Sequence, residues 1–525
     1  MFVLNTIAAR SRPSHLTPHS EAGRGGSDRA GYVLFAVLIV VVVLSLSAYR
    51  FADTMSAEYS VAVRSTEAAQ AKAHAVSGIH YAIGMLNDPT TRNETLGGNP
   101  YNNAENFANV PVGSGTTRGG GRFALHNLTD TGGGTGEGKF AVQYGVIDEA
   151  GKININSLIR IDDSGESLRS MLVLLPNMTE EVANAIVNWV LPADKTTADA
   201  PTYDLYKAKN GPLSTLDELL LVQGVTADKL YGNDRNRNGK ADPGEADGQD
   251  FNRGWSDYLT VYGHELNVDS TGAPRIYVND TISVDLQKKL TDALGSELAD
   301  YILAYRLYGG STSLTPLSPT AKTGGTGDLS KAVAMTMAGT PTAKSKVKNS
   351  VTSMLNTRVK LPKAAGARPT DPDVYVNSPL NDKANFIKYL PLFLDKTTTK
   401  TNYELNPRIN INTAPQDLLM ALPGLTPEDV TAAIAARQNV QPGTPEYVTG
   451  AWIVTQAGQR PEIFQQLERY ITGQTMTYRI HSLGYFAKGG PTARVEAVVD
   501  MNAGYPRIVY YRDLTDLGGG FAPPR

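Results

Sequence analysis

Eighteen consecutive residues, Tyr32 to Tyr49 (YVLFAVLIVVVVLSLSAY), carry no charge and lie between Arg29 and Arg50. A membrane's hydrocarbon core needs about 20 apolar residues wound as a helix, so this run reaches across one bilayer. Residues 1–31 hold Arg10, Arg12, Arg24 and Arg29 against Glu21 and Asp28, a net of +2. The positive-inside rule keeps that end in the cytoplasm and exports the chain beyond Arg50. A cleavable signal peptide, cut near Ser45-Leu46-Ser47, is the plainer alternative. Its apolar core, however, is normally only about 7–15 residues. The chain also continues as helix. Residues 50–87 contain no Pro and two glycines, Gly78 and Gly84, and Phe51, Met55, Tyr59, Ala62, Ala69, Ala73, Val76, Ile79, Ile83 and Leu86 recur at helical spacing. Pro89 is a stop signal. One helix from Tyr32 to Asn87 would be about 84 Å long at 1.5 Å per residue.

The remaining chain is long enough for a large core and has no Cys, which excludes disulfides, thiolate metal sites and a cysteine nucleophile. A net charge of −3 over 525 residues argues against a generally basic nucleic-acid binder. Residues 112–138 are glycine-rich and read as loop. Arg122–Leu128 and Lys139–Ile147 alternate like strands, as do Met476–Phe486, Ala493–Met501 and Pro506–Arg512 near the far end. Between these groups the pattern is mainly helical, which predicts one small antiparallel sheet, split in sequence, packed on the long helix and carrying an α-rich insertion.

That insertion repeats a phrase: Ile153-Asn154-Ile155-Asn156, Ile276-Tyr277-Val278-Asn279 and Ile409-Asn410-Ile411-Asn412. The spacing predicts three dispersed modules, each with an Asn-capped helix, a tight hairpin and an apolar helix packing back. Residues 309–372, rich in Ser, Thr, Ala, Gly and Lys, are expected to form a mobile insertion.

One segment carries a ligand pattern. Asp234-Arg-Asn236-Arg-Asn238-Gly239-Lys240-Ala-Asp242-Pro-Gly-Glu245 fits the calcium-loop spacing D-x-[DN]-x-[DN]-G-x5-E. Calcium takes six to eight oxygens, and alternating positions in a turning loop aim them at one point. Asp234, Asn236 and Asn238 would give side-chain oxygens and Lys240 its carbonyl. Asp242 would bind directly or through water, Glu245 would close the site, and Gly239 permits the turn. No flanking helix pair is evident, so the expectation is a Ca2+ loop without an EF-hand. The hairpin at Pro423-Gly424 is similar to helix-hairpin-helix modules that grip phosphate, but Glu404 to Arg437 carries a net of −2, against phosphate binding. His74 and His80 lack a metalloprotease spacing and no nucleophile elbow is present, so no catalytic residue and no enzyme activity is expected.

Arg29-Ala30-Gly31 before Tyr32 and a straight apolar helix resembles the processing site of type IV pilins and type II secretion pseudopilins. The resemblance implies that a prepilin peptidase cuts after Gly31 and methylates Tyr32. Ala36 stands where the class has Glu at mature position five, a carboxylate thought to pair with a neighbouring subunit's amine; its absence is typical of the K family. Asp148-Glu149-Ala150-Gly151-Lys152 leading into Ile153–Asn156, Asn188-Trp189 to Asp194, Asn210-Gly211-Pro212 through Glu218-Leu219-Leu220 and Gly224-Val225, and the Asn410–Gly424 hairpin are similar to that family's motifs, in order. Asn188 and Pro192 depart from its acidic segment.

The fold implied is α+β: a pilin-like N-terminal helix on a small antiparallel sheet, with a large α-helical insertion containing helix-hairpin-helix-like modules. The ranges expected are a leader at 1–31, a transmembrane part at 32–49 and a periplasmic helix at 50–88. The first part of the pilin-like domain occupies 89–147, the inserted domain 148–474 and the closing strands 475–525. The resemblance further implies a minor pseudopilin of the bacterial inner membrane, its bulk periplasmic. It would cap the pseudopilus tip with the I and J minor pseudopilins and prime its assembly for export of folded proteins; on the charge balance given above, no nucleic-acid partner is expected. Two alternatives stand beside it. One is a pilus- or competence-associated DNA-binding protein using the hairpins. The other is a secreted calcium-binding protein starting near Ala48.

Overall fold

A single helix, α1, runs from Arg29 to Asn87 in the computed structural model and ends two residues before Pro89. The structure describes residues 29–88, 91–113, 119–130, 140–198, 200–238, 242, 245, 252–313, 315–318, 320–364, 366–501, 505–518 and 520–524. These divide into two units, the first ending at Thr66 and the second running from Glu67 to the C-terminal end. In the first unit no residue of α1 from Tyr32 to Thr66 is buried: Leu34 and Leu44 are 73% and 63% exposed. Residues from Tyr32 on form a helix long and apolar enough to cross a membrane. Ser47, inside the apolar run, donates its hydroxyl to the Val43 carbonyl at 2.8 Å, which satisfies a donor that hydrocarbon would leave unpaired.

In the second unit the buried stripe of α1 is Ala71, Ala75, Gly78, Ile79, Ala82 and Leu86. This differs from the expected stripe: Phe51, Met55 and Tyr59 are exposed, as are Ala69 and Ala73. Phe51, Met55 and Tyr59 belong to the first unit, whereas Ile79 and Leu86 of the expected stripe are buried; Ala71 and Ala75 stand where the helix backbone comes closest to the sheet, at Gly484.

The sheet is antiparallel and has seven strands: β1 (Val110–Val112), β2 (Gly121–Asp130), β3 (Phe140–Tyr144), β4 (Ile147–Asp148), β5 (Thr477–Phe486), β6 (Ala493–Asp500) and β7 (Arg507–Asp513). The order is β1-β2-β5-β6-β7, with β3 also paired to β2 and β4 to β5. β2 and β5, from the two ends of the sequence, lie side by side, His126 opposite His481. The α+β architecture expected from the sequence is therefore present, and each of the five strand segments read there overlaps a strand of this sheet. Side-chain alternation gives the sheet two faces. One packs Phe123, Leu125, Tyr478, Ile480, Val495, Ala497 and Val499 on Ala75, Ile79, Ala82 and Leu86.

Residues 149–476 form the insertion, with its own core running from Ile153 to Ile471. The repeated phrase opens each module as a two-residue strand, and a parallel partner closes it much later. Ile153-Asn154 pairs with Leu259-Thr260, Ile276-Tyr277 with Thr397-Thr398, and Ile409-Asn410 with Ile471-Thr472. In all three the closing Thr hydroxyl accepts from the backbone N–H two residues on, at 3.1, 3.1 and 3.3 Å. Asn capping holds only for Asn154, which accepts from Ser157 N at 2.9 Å; Ser283 caps the second module's helix Val284–Leu294. The last Asn of each phrase instead staples distant backbone. Asn156 exchanges two hydrogen bonds with Leu213, Asn279 two with Val347, and Asn412 donates to Tyr447 O and Gly473 O.

The stretch 309–372, expected as a mobile insertion, contains the helix Thr326–Met337 and most of a four-stranded sheet, Gly310–Thr312, Lys322–Thr323, Thr357–Lys360 and Val374–Asn377. Leu329, Val333, Val347, Val351, Met354, Leu355, Val359 and Leu361 join the insertion's core. These apolar residues are sparse enough for the surrounding Ser, Thr and Lys to hide them in a composition average.

Candidate functional site

The second face of the sheet is charged yet buried. β5 and β6 alternate so that Arg479, His481, Arg494 and Glu496 turn away from α1, and the insertion covers them. Arg479 lies between two carboxylates. It donates from Nε and Nη2 to Glu149 at 2.8 and 2.5 Å, and from Nη1 to Glu496. Glu149, fully buried, also accepts from Thr260 Oγ1 at 2.6 Å and faces Lys152 at 3.6 Å. Burial alone would raise the Glu149 carboxyl, but Arg479 and Lys152 hold it below the usual range. His126 is pushed down to about 3 by burial, with His481 and Arg494 adding to the effect.

Asp148, the last residue of β4, joins the sheet to two modules at once. It accepts from Ala150 N at 2.8 Å, Asn410 Nδ2 at 2.6 Å and Thr413 Oγ1 at 2.6 Å. Burial pushes its carboxyl up to about 6, although these hydrogen bonds work in the opposite direction. The Asp148–Asn156 phrase is thus where the insertion leaves the sheet, and its polar residues Asp148, Glu149, Lys152, Asn154 and Asn156 each answer a distant partner.

The calcium-patterned loop rests on this same face. Its donors converge: Asn236 Nδ2 and Asn238 Nδ2 reach Asp242 Oδ2 at 2.5 and 2.7 Å, and Asn238 N donates to Asp234 Oδ1 at 3.0 Å. Glu245 accepts from Asn236 N at 3.2 Å and Asp242 N at 3.1 Å. Lys240 and Gly239 lie outside the described residues. Five of the six expected ligands are therefore in one hydrogen-bonded network, with Asp234 and Asn238 buried. Among the described residues, however, no three His, Asp or Glu side chains gather as a metal cluster, so the amides of Asn236 and Asn238 are integral to any oxygen set here. β6 holds the loop from outside. Arg494 donates to Asn236 O and Arg237 O at 2.7 and 2.8 Å, and Arg237 pairs with Glu496 at 3.3 Å.

Three helix pairs turn through Asn177, Gly224 and Gly424, each left-handed with φ of 58°, 82° and 83°. Two residues beyond each turn, a Thr caps the next helix. At the Gly424 turn, Asp429 accepts from Thr426 N at 2.9 Å and Thr426 accepts from Asp429 N at 3.2 Å. Two of the N–H groups at this turn, those of Thr426 and Asp429, thus have partners in the chain itself.

Gly31, Tyr32 and Ala36 all lie in α1, with Tyr32 79% exposed. The residues missed from sequence are Arg479, Arg494 and Glu496. A charge at every second strand position normally marks a solvent face, so nothing local distinguishes these from surface residues. No family model matches the chain, and no curated protein matches it. Among solved structures it is similar to the crystal structure of the GspK–GspI–GspJ complex from the enterotoxigenic Escherichia coli type 2 secretion system. That similarity is at 10% identity and a TM-score of 0.34, covering 86% of this chain and 97% of that chain.

Proposed function

We propose that the protein is a K-type minor pseudopilin of a bacterial type II secretion system, an assembly component and not an enzyme. The observation that carries this reading is α1. One unbroken helix begins as an uncharged membrane-length run and ends with a stripe of small residues against a split antiparallel sheet. The Gly31-Tyr32 junction at its start and the ordered motifs of the insertion support the same reading. In it, prepilin peptidase removes the leader, the N-terminal apolar run anchors in the inner membrane, and residues after Arg50 are periplasmic. The partners are the I and J minor pseudopilins.

Two features suit a tip position. Ala36 offers no carboxylate to pair at membrane depth with a subunit below. The insertion, 149–476, is far larger than the sheet that carries it, and on a filament it would obstruct addition above. Calcium is part of this proposal. Asp234, Asn236, Asn238, Asp242 and Glu245 supply hard oxygens of the kind calcium takes, and their mutual hydrogen bonds already draw them together. A bound cation would supply a cross-link among them, pinning the loop beside β6.

The test is the mature N-terminus and the company it keeps. Chain isolated from its own cell's inner membrane should begin at Tyr32, N-methylated, by mass spectrometry, and co-purify with two small pseudopilins. A start near Ala48, or a mature form with the leader intact, refutes it.

A further inference from the structure

The insertion and the charged face of the sheet do not close fully on each other. Between them lies a cavity of about 680 Å³, within the size range of small-ligand pockets. Its wall takes residues from β2, β3, β5, β6 and β7, from the turn at Asn412–Gln416, and from the end of the helix Pro427–Arg437. Six cationic side chains line it. Five of them, Lys152, Arg237, Arg253, Arg479 and Arg512, have a carboxylate at 3.8 Å or closer.

Arg437 differs. Among the described residues it has no carboxylate partner, and its one hydrogen bond runs from Nη1 to Ala414 O at 2.6 Å. Half-buried, its guanidinium loses hydration without gaining a counter-charge, and burial lowers its pKa accordingly. A guanidinium nevertheless stays charged at any ordinary pH. The C-terminal carbonyls of its own helix offer partial compensation only. Its remaining N–H donors have no partner among the described residues, and Arg437 lines the cavity together with Gln416 and Gln438.

We propose that Arg437 anchors a binding site in this cavity for a carboxylate-bearing ligand. A guanidinium fork matches a carboxylate in bidentate fashion, and a single uncompensated positive charge calls for a single negative one. The Gln416 and Gln438 amides suit neutral amide or hydroxyl groups beside it. The carboxylate has two sources, a free small acid or an acidic side chain on a peptide segment that enters the cavity.

Both are tested on the full chain in detergent by isothermal titration. The probes are glutarate, the blocked peptide acetyl-Gly-Glu-Gly-amide, and the same peptide with Gln for Glu. Binding by at least one of the two acids, with no binding of the Gln peptide, is the expected result. Glutarate alone points to a free acid, and the peptide alone to an acidic segment. Arg437→Gln should weaken the binding at least about tenfold, the loss of a charge-assisted contact. Failure of both acids, or equal binding by Arg437→Gln, overturns the proposal. Should that variant fail to fold, phenylglyoxal modification of Arg437 in the native chain replaces it. Protection by an acid supports the site, and unchanged modification with both acids present overturns it.

Discussion

Gly484 on β5 sets how closely α1 can lie on the sheet. A methyl group there would sit 2.0 Å from the Ala71 carbonyl oxygen and 2.4 Å from Ala75 N. Both are helix backbone, so no side-chain rotation relieves the clash and the helix must move. Overpacking of a well-packed core costs about 1–3 kcal/mol, and a backbone clash belongs at the upper end. Reduced freedom of the unfolded chain returns about 0.4–1 kcal/mol, so Gly484→Ala should lose about 2 kcal/mol. Spread over roughly 460 residues from Glu67 onward at about 2.1 cal/mol/K each, unfolding as one cooperative unit, that is a fall in Tm of about 2 °C. Gly84, an exposed helix position with nothing within 4 Å of an added Cβ, supplies the opposite case. Gly84→Ala should gain about 1 kcal/mol and raise Tm by about 1 °C. Gly78 falls between them: its added Cβ would lie 2.3 Å from Ser482 Oγ and 2.9 Å from Phe123 Cδ2, both side-chain atoms. Adding Ser482→Gly should therefore return part of the loss from Gly78→Ala. Thermal melts of the full chain in detergent, followed by circular dichroism at the helix band, read all four. A Gly484→Ala chain melting at or above the wild type refutes the close-approach argument.

Calcium at about 100 times its dissociation constant should add about 2.7 kcal/mol, close to 3 °C on the same scale, and Asp234→Ala with Glu245→Ala should abolish the rise. An intact chain whose melting ignores both calcium and chelator rules the loop out as a metal site. His126, 1% exposed and stacked on Phe521 at 4.4 Å, is held neutral with its pKa at about 3. A histidine whose folded pKa lies below its unfolded value stabilises above the unfolded pKa, about 6.5, and that stability is lost as pH falls toward 3. The loss is on the order of 5 kcal/mol. His126→Phe keeps the stacking and should flatten this part of the profile of urea midpoint against pH, whereas an identical profile contradicts the assignment.

The long elements were legible because each repeats a pattern. The helix ends at Asn87 as its stop signal implied, and β2, β5, β6 and β7 announce themselves through alternation. The module openings were legible as a repeated phrase. Their closing strands were not, because two residues such as Leu259-Thr260 are too few to show a period. The Arg479–Glu149 pair spans 330 positions, and only the fold brings such residues together. At the calcium-patterned loop the sequence named the converging side chains. It offered no hint of Arg494, whose contribution is to two backbone carbonyls.

The junction of β4 and β5, where Asp148 lies opposite Tyr478, also dictates an order of events. Closing a loop of about 330 residues in an unfolded chain costs roughly 5 kcal/mol of entropy, more than the first few strand pairs return. An insertion that has already folded brings its own ends together, through contacts such as Asn410 to Asp148 at 2.6 Å, and removes most of that penalty. The expected order is that β5 pairs with β2 only after the modules between them are in place, and pulse-labelled hydrogen exchange that protects the β2–β5 amides before those of the insertion would overturn it.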